Sequence, residues 1–261
     1  MITRERLTIT LRKDLLRCID DNIDGKTIRN RSHAIEKVLI EKFGDAFLKT
    51  AIILGGGKGI TIDGVPTSPL CVNVDGIPLV ERHISLLKDV GVTTVILAVG
   101  DFGGPVRKIV GDGSRYNIRV VYVEHDHGTA GVLRQMRSLL SEPFIMFNGH
   151  IVVQDVDLLD MLALHRTTHA LGTIAVTTIS DPESYGIVRL RGVRIVEFLS
   201  GDRSSTSSHL INAGMYILDP SVCTMVRPGE ESLEHDIFPQ IIAQRKLYGY
   251  MLDVPWKRIK A

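Results

Sequence analysis

Cysteine is scarce in this 261-residue chain: Cys18, Cys71 and Cys223 are the only three, and none forms a CxxC pair. A sparse, odd set excludes a disulfide framework and a cysteine-based zinc cluster, and fits a reducing compartment. Each is expected to be a small buried hydrophobe. Long apolar runs are missing too. No stretch reaches the ~18 apolar residues of a membrane span, and the N-terminus carries no signal-type apolar core. These absences point to a soluble cytoplasmic protein with no membrane partner. Net charge is nearly absent, with 31 Lys+Arg against 30 Asp+Glu, which excludes a bulk polycation that coats nucleic acid or anionic lipid. A local basic surface is not excluded: residues 1–45 carry 10 basic and 8 acidic side chains, and residues 46–261 carry 21 and 22. Internal repeats are lacking, and the only low-complexity run is the serine-rich stretch 203–209.

Core-forming material is plentiful. With 44% hydrophobic and 23% charged residues, the chain can pack a full domain with a small one attached. The texture changes near residue 46. Over residues 6–11, Leu7, Ile9 and Leu11 alternate with Arg6, Thr8 and Thr10, the pattern of a half-buried strand. Leu15, Leu16, Ile19 and Ile23 then recur at helical spacing up to Gly25. A second helix opens near Arg31, with Ser32 as candidate N-cap and Ala34, Ile35, Val38, Leu39 and Phe43 as its apolar stripe. Strand, helix and helix in about 45 residues cannot bury enough surface alone. A lone strand also leaves its backbone groups unpaired. A second copy of the chain answers both needs.

This segment resembles the ribbon-helix-helix DNA-binding domains over residues 4–44. The resemblance implies a homodimer, or a higher oligomer, on double-stranded DNA, with Arg6, Thr8 and Thr10 against base edges. The opening of the second helix, Asn30, Arg31 and Ser32, offers free N–H groups and a positive dipole end to a phosphate. Residues 1–46 are therefore expected to be a DNA-binding and dimerisation domain, and residues 47–261 a ligand-sensing one.

Beyond residue 48 the pattern is α/β. Apolar runs at 51–54, 95–99, 120–123 and 144–147 read as buried strands, alternating with helical patterns at 79–90 and 158–165. Such alternation predicts a mostly parallel sheet covered on both faces by helices. Shorter strand-like pieces follow near 173–179, 185–198 and 210–218, then a helix near 232–243 and a last strand near 247–252.

The first of these strands runs into Gly55-Gly56-Gly57-Lys58-Gly59. Glycines after a buried strand let backbone N–H groups approach an anion, and Lys58 adds a positive charge. The loop fails the dinucleotide fingerprint, because Ile60 stands where the third glycine belongs, and fails the Walker pattern, because Gly59 follows the lysine. Val74-Asp75-Gly76-Ile77-Pro78-Leu79, Gly128-Thr129-Ala130-Gly131, Phe147-Asn148-Gly149, Tyr185-Gly186 and Ile211-Asn212-Ala213-Gly214 follow in that order. Together these motifs resemble the sugar-phosphate nucleotidyltransferases, which join a sugar 1-phosphate to a nucleoside triphosphate. The resemblance spans residues 49–259 and implies a Rossmann-like, GT-A-like α/β fold with a mixed, mostly parallel sheet.

Measured against that family, several charged positions are lost. Its triphosphate-gripping arginine is Thr61 here, and its following lysine aligns with Pro69. One magnesium-binding aspartate is His150, and the other is Arg258. A Glu-Lys pair that holds sugar and phosphate falls on Ser200 and Gly201. Nucleotidyl transfer needs its phosphate charge neutralised, and Mg²⁺ takes oxygen ligands. These losses predict a catalytically inactive domain in a transcription regulator, with no catalytic residue and no metal. Its effector would be a nucleotide or nucleotide-sugar, held by Gly55, Gly56, Gly57, Lys58, Gly128, Gly149, His150, Gly186, Asn212 and Arg258. Arg258, with Lys58 and a protonated His150, would replace Mg²⁺ in neutralising a bound pyrophosphate. Two alternatives stand beside this: a divergent sugar-1-phosphate nucleotidyltransferase that uses its N-terminus for assembly or autoregulation, and a second domain that only reinforces dimerisation. The glycines have a second reading as well, as turns that the fold itself requires.

Overall fold

The computed structural model describes residues 7–25, 28–43, 47–56, 59–62, 65–124, 128–182, 184–199 and 208–259. The chain divides into two units, Met1–Phe47 and Leu48–Ala261. In the first unit, residues 7–12 form no strand, and Leu7 and Ile9 are 81% and 46% exposed. Among the described residues these backbone groups have no second strand to pair with. Helix α1 (Lys13–Asp21) has no buried residue. It closes at Asn22, whose Nδ2 donates to the Cys18 carbonyl at 2.7 Å, before Gly25 turns the chain at φ 70°.

Helix α2 (Arg31–Phe43) is capped by Asn30 rather than Ser32: the Asn30 Oδ1 accepts from the His33 N–H at 2.9 Å. Ala34 is the one buried side chain among the described residues of this unit, while Leu15, Val38 and Leu39 stay exposed. Cys18 is exposed too, and Cys71 is half-buried, so only Cys223 is the buried hydrophobe expected of all three. A unit this small cannot close a core on its own.

The second unit begins with β1 (Thr50–Gly55), two short ribbons β2 (Ile60–Ile62) with β3 (Val65–Thr67) and β4 (Asn73–Val74) with β5 (Ile77–Pro78), and α3 (Leu79–Asp89). It continues with β6 (Thr94–Val99), α4 (Gly103–Val110), β7 (Arg119–Glu124), α5 (Gly128–Met136), β8 (Phe144–Asn148), β9 (Ile151–Val153) and α6 (Leu158–Thr167). Then come β10 (Gly172–Thr178), β11 (Ile187–Arg191), β12 (Arg194–Leu199), β13 (Leu210–Leu218), α7 (Val222–Met225), α8 (Phe238–Ala243), β14 (Leu247–Met251) and β15 (Trp256–Arg258). Nine strands form one sheet in the order β10-β14-β12-β11-β13-β8-β1-β6-β7.

The four apolar runs of the sequence are the parallel block β8, β1, β6 and β7. The rest is not mostly parallel. β13 runs antiparallel to β8, β10 and β11, and β11 pairs antiparallel with β12. The reason is connection length: only Gly192, at φ 62°, and Val193 separate β11 from β12, and so short a link can only reverse the chain.

Alternation along β1 builds a core on each face of the sheet. Ala51 and Ile53 pack with Val80, Ile84 and Leu87 of α3, and Ile52 packs on the other side with Val132 and Leu133 of α5 and Phe238 of α8. No helix of the described residues is long and apolar enough to cross a membrane.

Candidate active site

Strands β1 and β8 end side by side, with Leu54 opposite Asn148. The chain then crosses over β1 at Gly149, whose N–H donates to the Leu54 carbonyl at 2.8 Å. A Cβ at Gly149 would lie 2.3 Å from that same oxygen, so the crossing requires glycine. It delivers His150 and β9 to the sheet's carboxyl-terminal edge, where α/β folds bind ligands. β9 pairs antiparallel with β15, Ile151 opposite Arg258, and the Ile259 N–H donates to the His150 carbonyl at 2.8 Å. His83 of α3 supports β9 from the core. Its Nε2 lies 2.9 Å from the Ile151 carbonyl, and a carbonyl only accepts, so Nε2 carries the proton. Burial pushes the His83 pKa down to about 4.

A cavity of about 360 Å³ opens at this edge, at the small end of the roughly 300–1,000 Å³ of ligand pockets. One group of polar residues lining it is organised by Tyr216, fully buried on β13. The Tyr216 hydroxyl accepts from Asn212 Nδ2 at 2.8 Å and Asn148 Nδ2 at 3.3 Å, and donates to Glu234 Oε1 at 3.2 Å. Burial, with the Glu234 charge second, holds the phenol well above its usual pKa, so it stays a neutral donor. The other oxygen of Glu234 accepts from the hydroxyls of Thr129 at 3.1 Å and Ser232 at 3.2 Å. Asn148 Oδ1, buried, has no donor among the described residues. Amide, hydroxyl and carboxylate groups so arranged are suited to the hydroxyls of a sugar.

The second group surrounds Arg258. Its guanidinium donates to the carbonyl and the hydroxyl of Ser184, both at 3.2 Å, and sits 4.2 Å over the Tyr185 ring. Tyr185 meets Trp256 edge-on at 5.7 Å, and the Trp256 indole N–H donates to the Ala213 carbonyl at 2.8 Å. His150 lines the same cavity. Burial first, and the Arg258 charge second, lower its pKa to about 4. Both causes favour the neutral imidazole at pH 7, against the expectation of a protonated His150 beside Arg258.

Of the expected ligand residues, His150, Gly186, Asn212 and Arg258 line the cavity. Gly149 does not line it but sets the crossing that places His150. Gly55 and Gly128 pack against protein instead: a Cβ at Gly55 would lie 2.4 Å from Leu70, and one at Gly128 2.2 Å from the Glu231 carbonyl. Their glycines meet the demand of the fold. Gly56 follows β1 without lining the cavity, and Gly57, Lys58, Ser200 and Gly201 lie outside the described residues. Thr61 is exposed on β2, and Pro69 opens a short 3₁₀ turn.

In the first unit, Arg6 lies outside the described residues, and Thr8 and Thr10 are exposed on unpaired backbone. Asn30 is spent on its cap, and Ser32 is exposed at the helix start. Arg31 makes a two-pronged ion pair with Asp20 at 2.6 and 2.8 Å. Sequence reasoning missed Glu234, Tyr216 and Ser184. Glu234 stood in an unremarkable acidic stretch and Tyr216 in an apolar strand, with no local signal for either.

The family resemblance implies Mg²⁺ on carboxylates, and the residues here do not fit it. Among the described residues no three His, Cys, Asp or Glu cluster to hold a metal ion. The two positions in question do come together, but as a neutral imidazole and a guanidinium.

Residues 50–257 match the family model described as nucleotidyl transferase. The chain belongs to the nucleotidyl transferase family. Among relatives of this family member, the "Probable mannose-1-phosphate guanylyltransferase 3" of Arabidopsis thaliana is 31% identical over 191 residues, covering 70% of this chain and 57% of the relative. The "Mannose-1-phosphate guanyltransferase beta-A" of Xenopus laevis is 32% identical over 221 residues, covering 80% and 60%. The chain thus spans 57–60% of the length of these relatives. A crystal structure of a putative glucose-1-phosphate thymidylyltransferase from Bacillus anthracis superposes with a TM-score of 0.73 at 20% identity, over 80% of this chain and 89% of that one.

The α/β nucleotidyltransferase fold is therefore as expected. The DNA-binding regulator with an inactive domain is not, since relatives about 30% identical over most of the chain carry the names of transferases. The sequence argument counted lost charges one position at a time. The folded site shows Arg258 and His150 rebuilt as one neighbouring pair, beside a polar cluster that counting could not see.

Proposed function

We propose that the second unit transfers a nucleotidyl group to a sugar 1-phosphate, with mannose 1-phosphate and GTP as the first pair to test. The observation that carries this reading is the cavity at the carboxyl ends of β1 and β8, where the Tyr216 cluster and Arg258 line one space. In this reaction a phosphate oxygen of the sugar 1-phosphate attacks the α-phosphorus of the triphosphate. The new P–O bond forms as the α–β bridge breaks, and pyrophosphate leaves. The Asn148, Asn212 and Glu234 groups orient the sugar, and Arg258 receives phosphate charge. The names of the relatives support the base and sugar chosen.

In the same reading the first unit assembles the enzyme. Its two helices and exposed Leu7, Ile9, Val38 and Leu39 support a ribbon-helix-helix arrangement, in which residues 6–11 pair with those of a second copy. The test is turnover: the 261-residue chain, mannose 1-phosphate and GTP, followed by pyrophosphate release and by chromatography of the nucleotide-sugar. Formation of GDP-mannose is expected. If neither this pair nor other sugar 1-phosphates with the remaining nucleoside triphosphates turn over, the reading fails.

A further inference from the structure

The cavity contains a cation, Arg258, with which no carboxylate among the described residues pairs. Among the described residues Arg258 makes no ion pair, and the acceptors that hold it, the Ser184 carbonyl and hydroxyl, are uncharged. His150 is neutral there. Glu234, the carboxylate lining the same space, already receives three hydroxyl donors.

The geometry points to a metal-independent phosphate site: the Arg258 guanidinium, oriented by Ser184 and Tyr185, takes up the charge of a sugar-linked pyrophosphate without a divalent cation. This deepens the transfer reading and rests on it for the choice of ligand. Three observations carry it. First, a divalent ion would need oxygen donors, and the positions that meet here present an imidazole and a guanidinium. Second, a cation entering beside Arg258 would be repelled by it, with no carboxylate cluster among the described residues to compensate. Third, Arg258 is half-buried and pre-oriented. One edge of its planar fork is fixed on Ser184 and one face on Tyr185, at 4.2 Å, so its remaining N–H donors meet a phosphate with little further ordering. Lysine could carry the charge but not the clamp.

The test is calorimetric binding of GDP-mannose to the full chain, in excess EDTA and in excess Mg²⁺. Equal affinity in the two buffers is expected. Arg258→Gln should weaken binding roughly ten- to a hundredfold in both, with Arg258→Lys in between, and the fluorescence of Trp256 checks that each variant is folded. Affinity that collapses in EDTA and returns with Mg²⁺ overturns the proposal. So does wild-type affinity in Arg258→Gln, or no binding in either buffer. Failure of the two readings is separable. Arg258-dependent binding in EDTA without any turnover keeps this site and removes the transferase, whereas turnover with strictly Mg²⁺-dependent binding does the reverse.

Discussion

Mild acid should loosen the second unit because three of its histidines are folded into a neutral state. His83, His150 and His165 all have their pKa lowered from 6.5 to about 4, with burial the largest cause in each. His165 is tied at 3.0 Å to Thr173 Oγ1, inside the packing of α6 on β10. Below pH 6.5 the unfolded chain takes up these protons, while the folded chain refuses them until about pH 4. The stability that depends on the neutral rings is therefore fully present above pH 6.5 and is lost as the pH falls from there towards 4.

One pH unit below the unfolded pKa, each ring costs about 1.4 kcal/mol, so the three together remove about 4 kcal/mol near pH 5.5. That is a large share of a total of ~5–15 kcal/mol. Urea unfolding at a series of pH values reads the effect through Trp256, the single tryptophan, which lies in this unit. His83→Gln keeps a donor for the Ile151 carbonyl but cannot titrate, and should remove about a third of the pH dependence. A midpoint that stays flat between about pH 7 and 5, or a slope unchanged in His83→Gln, would refute the reasoning.

Other perturbations test other parts of the structure. Tyr216→Phe strands two amides and Glu234 around a buried site, and should cost about 1–3 kcal/mol; an unchanged urea midpoint would show that the cluster is not held by this phenol. Gly128→Ala forces a side chain onto a residue at φ 62° whose Cβ would meet the Glu231 carbonyl. A loss of roughly 2–4 kcal/mol is expected in thermal or urea unfolding, and a neutral variant would contradict the close approach. Ile9→Asp should halve the mass seen by light scattering if residues 6–11 join two copies, while an unaltered mass would place assembly elsewhere.

Much of the fold could be read along the chain. The apolar runs that became β1, β6 and β8 are buried on both faces, and that of the half-buried edge strand β7 is equally continuous, so each is visible without tertiary knowledge. The helices α3 and α6 showed their spacing equally well. The antiparallel half was less legible, because strand direction depends on the length of each connection and not on the strand's own residues. The alternation over 6–11 shows the converse: the pattern is real, but a strand is a property of two segments, and among the described residues 7–11 pair with no second one. Ser32 was the expected cap, and the hydrogen bond from the His33 N–H to Asn30 Oδ1 moves the cap to Asn30.

By itself the amino-acid sequence determined the two-part organisation of the chain, the order of the transferase-like motifs, and the replacement of acidic positions by His150 and Arg258. The tertiary structure decided what those replacements amount to. Pairing of β9 with β15 sets Arg258 against His150, and burial then makes the imidazole neutral. Packing of β13 brings Tyr216 to Asn148, Asn212 and Glu234. A residue's type is local, but its charge state and its neighbours are set by contacts between distant segments and by the water those contacts exclude. For that reason a count of lost charges predicted an inert domain, while the folded cavity, with its polar cluster and its guanidinium, supports the transfer reading proposed above.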